Sequence, residues 1–360
     1  MAPGRVRLAR VKRGLYFLLP EEGEDFEAKV KRAVFWPLSL AYGAVVRSIR
    51  WAYGRGLRRP KRAPIPVVSV GNVVWGGTGK TQAVIWLCRR LLERGIRVAV
   101  LHRGYGGKGA GPKVVGPSSD PVEVGDEPVL LARALPGGLV IVGRRREEGV
   151  RLAVEYGAEV AVLDDGLQYW RLRKDIEIVM WRGPLPPRGV RLIPAGSWRE
   201  PPSILERAHQ IWSTEGKEAA EGVDVAFEVV PKGLKRLGGG EEVSPEALKG
   251  RKVLGVCGIG RPESFARTLE ELGAEGEVLA FPDHWRFSEG DFRLVSERAR
   301  KIGADLIVTT EKDAVRLSQP TADRPKAPFE VYVLLVSLDI LRGRGRAEKL
   351  LAEIESLSAA

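Results

Sequence analysis

Cysteine is nearly absent. Cys88 and Cys257 are the only two, far apart and in no CxxC pair. That excludes a disulfide framework and a thiolate zinc site, and it fits a reducing compartment. Asparagine occurs once, at Asn72, and Gln and Met are also scarce beside abundant Arg, a balance that leans toward heat adaptation. No apolar run approaches the ~20 residues that a membrane-spanning helix needs. A basic N-terminus precedes Leu15–Leu19, but acidic residues follow and no small-residue cleavage site appears, so no signal peptide is expected. There is no internal repeat and no low-complexity tract.

What is present is a globular chain of 360 residues, 44% apolar and 29% charged, long enough for two α/β domains with their own cores. The net charge is +12 and unevenly placed: residues 1–62 hold fifteen Lys/Arg against five Asp/Glu. Within that front end, Ala33–Val46 carries no charge, and Arg47, Arg50, Arg55, Arg58 and Arg59 follow it. Val34, Leu38, Tyr42, Val45 and Ile49 recur at helical spacing, and Trp36 and Trp51 suit a membrane interface. One reading is an amphipathic helix lying on an anionic lipid surface. The other is a core-facing helix with a solvated basic side.

From Pro66 onward, solidly apolar strands alternate with helices. Strands are expected at Val67–Val70, Arg97–Leu101, Leu139–Val142, Val160–Leu163 and Ile176–Trp181, then near Gln210–Trp212 and Val225–Val230. Helices are expected at Lys80–Arg94, Glu127–Ala134 and Glu147–Tyr156. This is the signature of a parallel sheet buried on both faces. Pro231–Gly250 interrupts the rhythm as a linker with a hairpin. A second, smaller α/β unit follows, with strands at Lys252–Cys257, Glu277–Phe281, Asp305–Thr309 and Val331–Leu335 and helices near Glu263–Leu272 and Glu289–Ile302. Arg344–Leu357 closes the chain as a charged amphipathic helix. The expected divisions are a basic membrane-surface segment at 1–62, a P-loop domain at 63–230, the linker at 231–250, the second α/β domain at 251–340 and the last helix at 341–360.

The chemistry concentrates after the first of these strands. Gly76-Gly77-Thr78-Gly79-Lys80-Thr81 joins a strand to a helix, the context in which glycines let backbone amides wrap a polyphosphate at a helix N-terminus. Lys80 would reach the β- and γ-phosphates of ATP, and the Thr81 hydroxyl suits Mg²⁺. The usual spacing puts Gly at position 74, where this chain has Val74. A second apolar strand ends at Asp164-Asp165, with Gln168 on the turn. Carboxylates at that edge of a parallel sheet are placed to bind the metal. The fold class is therefore α/β and P-loop NTPase-like: a mostly parallel sheet flanked by helices, with a second smaller α/β domain and an N-terminal amphipathic helix.

A GTPase would need Asn-Lys-x-Asp to read guanine, and the one Asn lies in the phosphate loop. No basic surface interleaved with aromatics marks a nucleic-acid motor, so no nucleic-acid partner is expected. A kinase needs a general base and a cationic clamp. Asp126-Glu127-Pro128, Asp283-His284, Arg144–Arg146 and Arg199 are candidates. Several short motifs in order, YGAVVR, PVVSVGN, GGTGKT, RGYGG, GDEPVLLA, DDGLQ, RLRKDIEI, LIPAG, REP, GIGRPESF, FPDH and TTEKDAV, closely resemble the tetraacyldisaccharide 4'-kinase (lipid A 4'-kinase) family from about Ala33 to Leu317.

The resemblance implies transfer of the γ-phosphate of ATP to the 4'-hydroxyl of a tetraacylated glucosamine disaccharide 1-phosphate. It places the enzyme as a peripheral protein on the cytoplasmic face of the inner membrane, and a monomer is expected. Carried over by motif, Lys80 and Thr81 serve MgATP, and Asp126 is the base, paired with His284. Thr81, Glu127, Asp164, Asp165 and Gln168 form the Mg²⁺ environment, and Arg146, Arg199 and Glu200 organise nucleotide or transition-state charge. With Asp126 and His284 on different domains, the base would become competent on domain closure. Asp126 also reads as a helix N-cap, and His284 as a satisfied structural residue. In TTEKDA, Glu311, Lys312 and Asp313 either shape the site or close a helix start. The chain departs from the family pattern at Val74, Tyr169, Trp181, 186–189 and Ser197-Trp198, and residues 1–30 extend beyond the usual start. Those departures bear on acyl-chain or sugar specificity more than on phosphoryl transfer. A kinase for a soluble sugar or nucleotide, and a non-enzymatic ATP-binding protein, are the rival readings.

Overall fold

A strand buried along its whole length must be covered on both faces, and that requirement organises this chain. A computed structural model describes residues 6–11, 26–105, 107, 109, 111–187, 189–317 and 330–359. Leu15–Leu19, most of residues 1–30, Gly106 of the RGYGG motif and Arg188 lie outside the described residues. In chain order the elements are β1 (Val6–Arg10), α1 (Phe26–Gly54), β2 (Val67–Asn72), α2 (Lys80–Glu93), β3 (Val98–His102), β4 (Lys113–Val115), α3 (Pro121–Val124), α4 (Asp126–Ala134), β5 (Leu139–Val142), α5 (Arg146–Glu155), β6 (Val160–Asp164), β7 (Ile176–Met180) and β8 (Gln210–Ser213). They continue as β9 (Val225–Arg236), β10 (Glu242–Val243), β11 (Lys252–Cys257), α6 (Pro262–Glu271), β12 (Glu275–Ala280), α7 (Glu289–Ile302), β13 (Leu306–Thr310), α8 (Glu311–Leu317), β14 (Val331–Arg342) and α9 (Arg344–Ser358).

The chain divides into two compact units. The larger comprises Leu18–Val229 and Leu338–Ala360, the smaller Met1–Phe17 and Val230–Ser337. The larger unit carries the strand order β9-β8-β7-β2-β6-β3-β5-β4. All of its neighbours run parallel except β4 against β5. In β2, β6 and β7 every residue is buried, as solid apolar strands covered by helices on both faces should be. α2 turns Ala83, Val84, Leu87, Cys88 and Leu91 inward. Both cysteines are free, buried thiols.

Three aromatics close one end of this core. Trp86, Trp212 and Phe227 meet edge to face at centroid distances of 5.5, 5.0 and 5.2 Å. Trp212 donates its indole N–H to Gln210 (2.7 Å), and the Gln210 amide donates to the Arg346 carbonyl (2.8 Å), which ties α9 to the sheet.

The smaller unit is a parallel sheet ordered β1-β12-β11-β13-β14, with β10 antiparallel to β9 across the expected hairpin. α7 is closed by a Ser288–Asp291 capping box at its start and left-handed Gly303 at its end. β1 is the departure from expectation. Its RVRLAR pattern alternates charge and hydrocarbon, which reads as a basic tail in sequence. In the fold it is an edge strand whose Val6 and Leu8 pack on the core. The front end is thus divided, with β1 in the smaller unit and α1 in the larger.

Helix α1 is longer than its uncharged stretch and carries Pro37 inside it. One face docks: the Ser39 hydroxyl donates to the Leu192 carbonyl (2.7 Å), the Tyr42 hydroxyl donates to the Arg199 carbonyl (2.9 Å), and Val46 is buried. Tyr42 therefore belongs to the docked face and not to the outward stripe. Val34 (67% exposed), Trp36 (50%), Leu38, Leu40, Val45 and Trp51 remain outside. No helix among the described residues is long and apolar enough to cross a membrane.

Phe227→Ala removes the ring that both tryptophans pack against. It is expected to cost about 3–5 kcal/mol, the range for a buried Phe. Differential scanning calorimetry should show the larger unit's transition moving down while that of the smaller unit stays.

Candidate functional site

The topology brings two sequence motifs to one edge. β2 and β6 are neighbours in register, Val70 opposite Asp164, so the loop after β2 and the acidic pair ending β6 meet at the C-terminal side of the sheet. β3 lies on the other side of β6, with Leu101 opposite Leu163, which brings His102 level with Asp164.

The phosphate loop is held by the chain's one asparagine. Asn72, fully buried at the end of β2, donates through Nδ2 to Thr78 Oγ1 (3.0 Å) and to the Gly76 carbonyl (3.5 Å). Its own carbonyl accepts from Gln168 Nε2 (3.0 Å) and its Oδ1 from Arg199 (3.2 Å). The sequence reading used Asn72 in the composition, in the PVVSVGN motif and in the argument against guanine recognition, and missed this role. A buried side-chain amide bonded on both of its ends leaves no trace in local pattern. Gly79 caps α2 in the left-handed conformation (φ 77°) with no side-chain cap, so the first amides of the helix keep their donors for a ligand. A Cβ at Gly79 would stand 2.5 Å from Thr214 Oγ1.

Asp165 joins three segments. Arg199 grips it with two hydrogen bonds (2.8 and 3.0 Å), and Lys80 Nζ lies 3.6 Å from Oδ1. Burial pushes this carboxyl up, but Lys80 and Arg199 outweigh it and hold it at about 2. Its backbone is left-handed (φ 54°), an unusual state for a residue with a side chain. Asp164 behaves oppositely: burial above all, with Glu127 and Asp165 adding to it, pushes its carboxyl up to about 6 against the pull of His102 and Lys80.

Glu127 is positioned by His102, a second residue that the sequence reading missed. Gly104 N–H donates to His102 Nδ1 (2.9 Å), so the ring proton sits on Nε2, 3.2 Å from Glu127 Oε2. Asp126 is the first residue of α4, and left-handed Gly125 (φ 95°) occupies the cap position. The N-cap reading of Asp126 therefore does not apply.

Thr81 follows Lys80 in the first turn of α2. The acidic group meets the requirement of a hard cation. Asp164 Oδ2 and Gln168 Oε1 are buried oxygens with no hydrogen-bond partner, which is how unsatisfied ligand atoms present themselves. No group of three or more His, Cys, Asp or Glu among the described residues forms a complete cage. Mg²⁺ needs none, because it keeps waters and substrate phosphate oxygens in its shell.

The remaining candidates are placed less directly. Arg146, buried at the start of α5, donates to the carbonyls of Gly143 (3.0 Å) and Asp164 (3.3 Å) and lies over the Tyr169 ring; burial lowers its pKa. The structure thus sets it beneath the acidic pair. Tyr169, a departure from the family, donates to Glu147 and accepts from the Arg146 N–H (3.0 Å). Its hydroxyl is pushed up to about 12 by burial and by that Glu147 bond. Glu200 is buried within the influence of Arg50, Lys174 and Arg199, with Tyr42 also nearby, and burial raises its pKa. Three other departures turn out to be one feature. Val74, Trp181 and Trp198 share a single apolar cluster, the indoles edge to face at 5.5 Å, and Val74 bridges Trp198 through the backbone.

His284 lies in the smaller unit, Asp126 in the larger. It too is left-handed (φ 58°). Its ring is bracketed by α8: Arg316 Nη2 is 3.3 Å from Nδ1 and Lys312 Nζ 3.3 Å from Nε2, while Lys312 also reaches Asp283 Oδ1 at 3.2 Å.

The chain matches a model of the tetraacyldisaccharide-1-P 4'-kinase family over residues 31–355. It is 41% identical over 321 residues to the tetraacyldisaccharide 4'-kinase of Anaeromyxobacter dehalogenans strain 2CP-C, covering 83% of this chain and 84% of that protein. It is likewise 41% identical over 293 residues to the one from Halorhodospira halophila, covering 80% and 85% of the two chains. Among solved structures it resembles LpxK of Aquifex aeolicus in complex with ATP, with a TM-score of 0.69 and 30% identity over 90% of this chain and 99% of that one.

Gly79→Ala combines a left-handed φ with a clash on Thr214, and the αL conformation alone costs a non-glycine residue about 1–2 kcal/mol. ATP binding measured by calorimetry should weaken at least tenfold, and unchanged affinity would place the polyphosphate away from this loop.

Proposed function

We infer the chemistry of this chain from its family: the chain belongs to the tetraacyldisaccharide-1-P 4'-kinases. It is an ATP-dependent kinase of lipid A biosynthesis, and its acceptor is the 4'-hydroxyl of a tetraacylated glucosamine disaccharide 1-phosphate. The observation that carries this reading is the meeting of the Gly76–Thr81 loop and the Asp164-Asp165 strand end at one sheet edge in a chain matched to the family over residues 31–355.

The residues take the following roles. Loop amides and the first turn of α2 hold phosphate oxygens, and the Lys80 ammonium adds fixed positive charge beside them. Thr81, Glu127, Asp164 and Gln168 are the oxygen donors for the metal, with His102 fixing the face that Glu127 presents. MgATP, when bound, supplies the electrophilic phosphorus and neutralises part of the charge that develops on its oxygens. Asp165 holds Lys80 and Arg199 in place, and Arg199 completes the cationic clamp. Arg146 braces the Asp164 backbone, and Glu200 bears electrostatically on Arg199 and on Arg50 of α1.

A sugar hydroxyl has a very high pKa, so its proton must leave as the bond to phosphorus forms. Asp126 is the base that receives it, and His284 is its partner by the motif resemblance.

The acceptor is a lipid, so the enzyme has to work at a surface. The outward apolar side chains of α1, next to Arg47 and Arg50, suit an anionic bilayer. We place the protein as a monomer on the cytoplasmic face of the inner membrane, bound peripherally.

The direct test is transfer of label from γ-labelled ATP to the disaccharide lipid in mixed micelles. Asp126→Ala should lower kcat by roughly 10²–10⁴ while ATP still binds. Efficient transfer to a water-soluble sugar, and none to the lipid, would favour the soluble-acceptor reading. In a separate sedimentation assay, replacing Trp36, Leu38 and Val45 together by Glu should reduce binding to anionic vesicles severalfold. Equal binding by the triple variant would contradict the membrane role of α1.

A further inference from the structure

Val74, Trp181 and Trp198 share one apolar cluster, but Tyr169, another departure from the family pattern, does not belong to it. Its ring packs instead on the cluster that holds Leu101, Val150 and Leu163. Tyr169 directly follows Gln168, so it ends the turn that carries the candidate metal ligands Asp164 and Gln168. Whatever fastens that turn decides where their oxygens point.

On one side the turn is fastened to β2. Gln168 Nε2 donates to the Asn72 carbonyl (3.0 Å), while Oε1 of the same amide has no partner. The Tyr169 N–H donates to the Gly166 carbonyl (2.9 Å) and closes the turn. On the other side the turn is fastened to α5 by the Tyr169 hydroxyl, which accepts the Arg146 N–H (3.0 Å) and donates to the Glu147 carboxylate. Arg146 is the first residue of α5, and Arg145 at the cap position makes no side-chain bond. The first amides of a helix have no partner inside it, and here a tyrosine from a distant turn supplies one. Glu147 is buried and held in turn, with Arg171 at 3.2 Å and Lys61 at 3.8 Å from its Oε1. The hydroxyl proton and one lone pair are thus both engaged by the start of α5.

α5 grips the other end of the turn as well. The Arg146 guanidinium donates to the carbonyls of Asp164 (3.3 Å) and Gly143 (3.0 Å) and lies over the Tyr169 ring at 5.7 Å. Asp164 and Tyr169, the two ends of the stretch, are therefore both tied to Arg146. The oxygens without partners, Asp164 Oδ2 and Gln168 Oε1, belong to the stretch so clamped.

We propose that Tyr169 is a positioning residue for the metal: its hydroxyl pins the Asp164–Gln168 turn to the start of α5 and so sets where Asp164 and Gln168 present their oxygens to Mg²⁺. The sequence reading assigned this departure to acyl-chain or sugar specificity, whereas its partners tie it to the metal turn. The proposal rests on the reading of Asp164 and Gln168 as metal ligands. Mg²⁺ demands near-ideal octahedral geometry, and residues that orient metal ligands matter by about 10–100-fold in metal affinity or activity.

The test is calorimetric titration of the full chain with a non-hydrolysable ATP analogue, with and without Mg²⁺. The readout is the gain in affinity that the metal confers. Tyr169→Phe keeps the ring and removes only the hydroxyl. It should lower that gain about tenfold and leave the metal-free affinity unchanged. In turnover, the Mg²⁺ concentration for half-maximal rate should rise by a similar factor, with KM for the lipid unchanged. Glu147→Met removes the acceptor at similar volume and is read in the same way should the phenylalanine variant not fold. Asp164→Asn tests the ligand reading itself and should lower the gain at least as much.

A gain that Asp164→Asn lowers but Tyr169→Phe and Glu147→Met leave unaltered overturns the proposal alone, whatever happens to their melting temperatures. Equal losses with and without Mg²⁺ in Tyr169→Phe also overturn it, because they would mark a displaced phosphate loop. A gain that Asp164→Asn leaves unchanged overturns the ligand reading and the proposal with it.

Discussion

One carboxylate ties the candidate site together. Asp165, at the end of a buried strand, holds a lysine from the phosphate loop and an arginine from a segment more than thirty residues further along the chain. Two cations make its ionised form favourable in a place where burial alone would disfavour it. Arg199 and Gln168 each also reach Asn72, whose amide shapes the loop, so the loop and the acidic strand end are parts of a single network. For Asp164, one residue away, burial outweighs the pull of His102 and Lys80, and one of its oxygens keeps no partner. Two adjacent aspartates thus acquire different tasks from different neighbours, one structural and one suited to a metal.

The same device recurs in the smaller unit. Asp165 and His284 are the non-glycine residues with left-handed backbones among those described, and each is bracketed by a lysine and an arginine. Strain of this kind persists only where surrounding contacts over-determine it, and it clusters where geometry matters for chemistry. α1 also reaches this network physically: its Tyr42 bonds to the carbonyl of Arg199, the residue that grips Asp165. The helix proposed to meet the membrane therefore rests on the segment that supplies the cationic clamp.

Much of this was legible in the sequence, for identifiable reasons. Solid apolar strands and amphipathic helices announce themselves by period, and β2, β5, β6, β11 and α7 fall within a residue or two of expectation. The glycine loop and the Asp-Asp strand end are local signals, and a parallel order of β2 beside β6 brings them together. Long-range contacts were not legible. Asn72 and His102 act through neighbours supplied by other segments, and nothing in their local sequence marks them. β1 was hidden because an edge strand can alternate charge and hydrocarbon as a solvated tail does. Val74, Trp181 and Trp198 looked like separate departures until the fold showed them packed on one another, which explains them as one exchanged piece of core. α8 was ambiguous because Asp313 does close the helix start with Thr310, while its bonds to the Gly258 N–H and to Arg316 show only in the fold.

The central claim is that the Gly76–Thr81 loop and Lys80 hold the tail of ATP beside the acidic strand end. A crystal structure of the protein with Mg²⁺ and a non-hydrolysable ATP analogue tests it most directly. The account predicts the β- and γ-phosphates within hydrogen-bond reach of the loop amides and Lys80, and the metal against Asp164 and Gln168. A polyphosphate bound elsewhere, or a metal held by other residues, would contradict it.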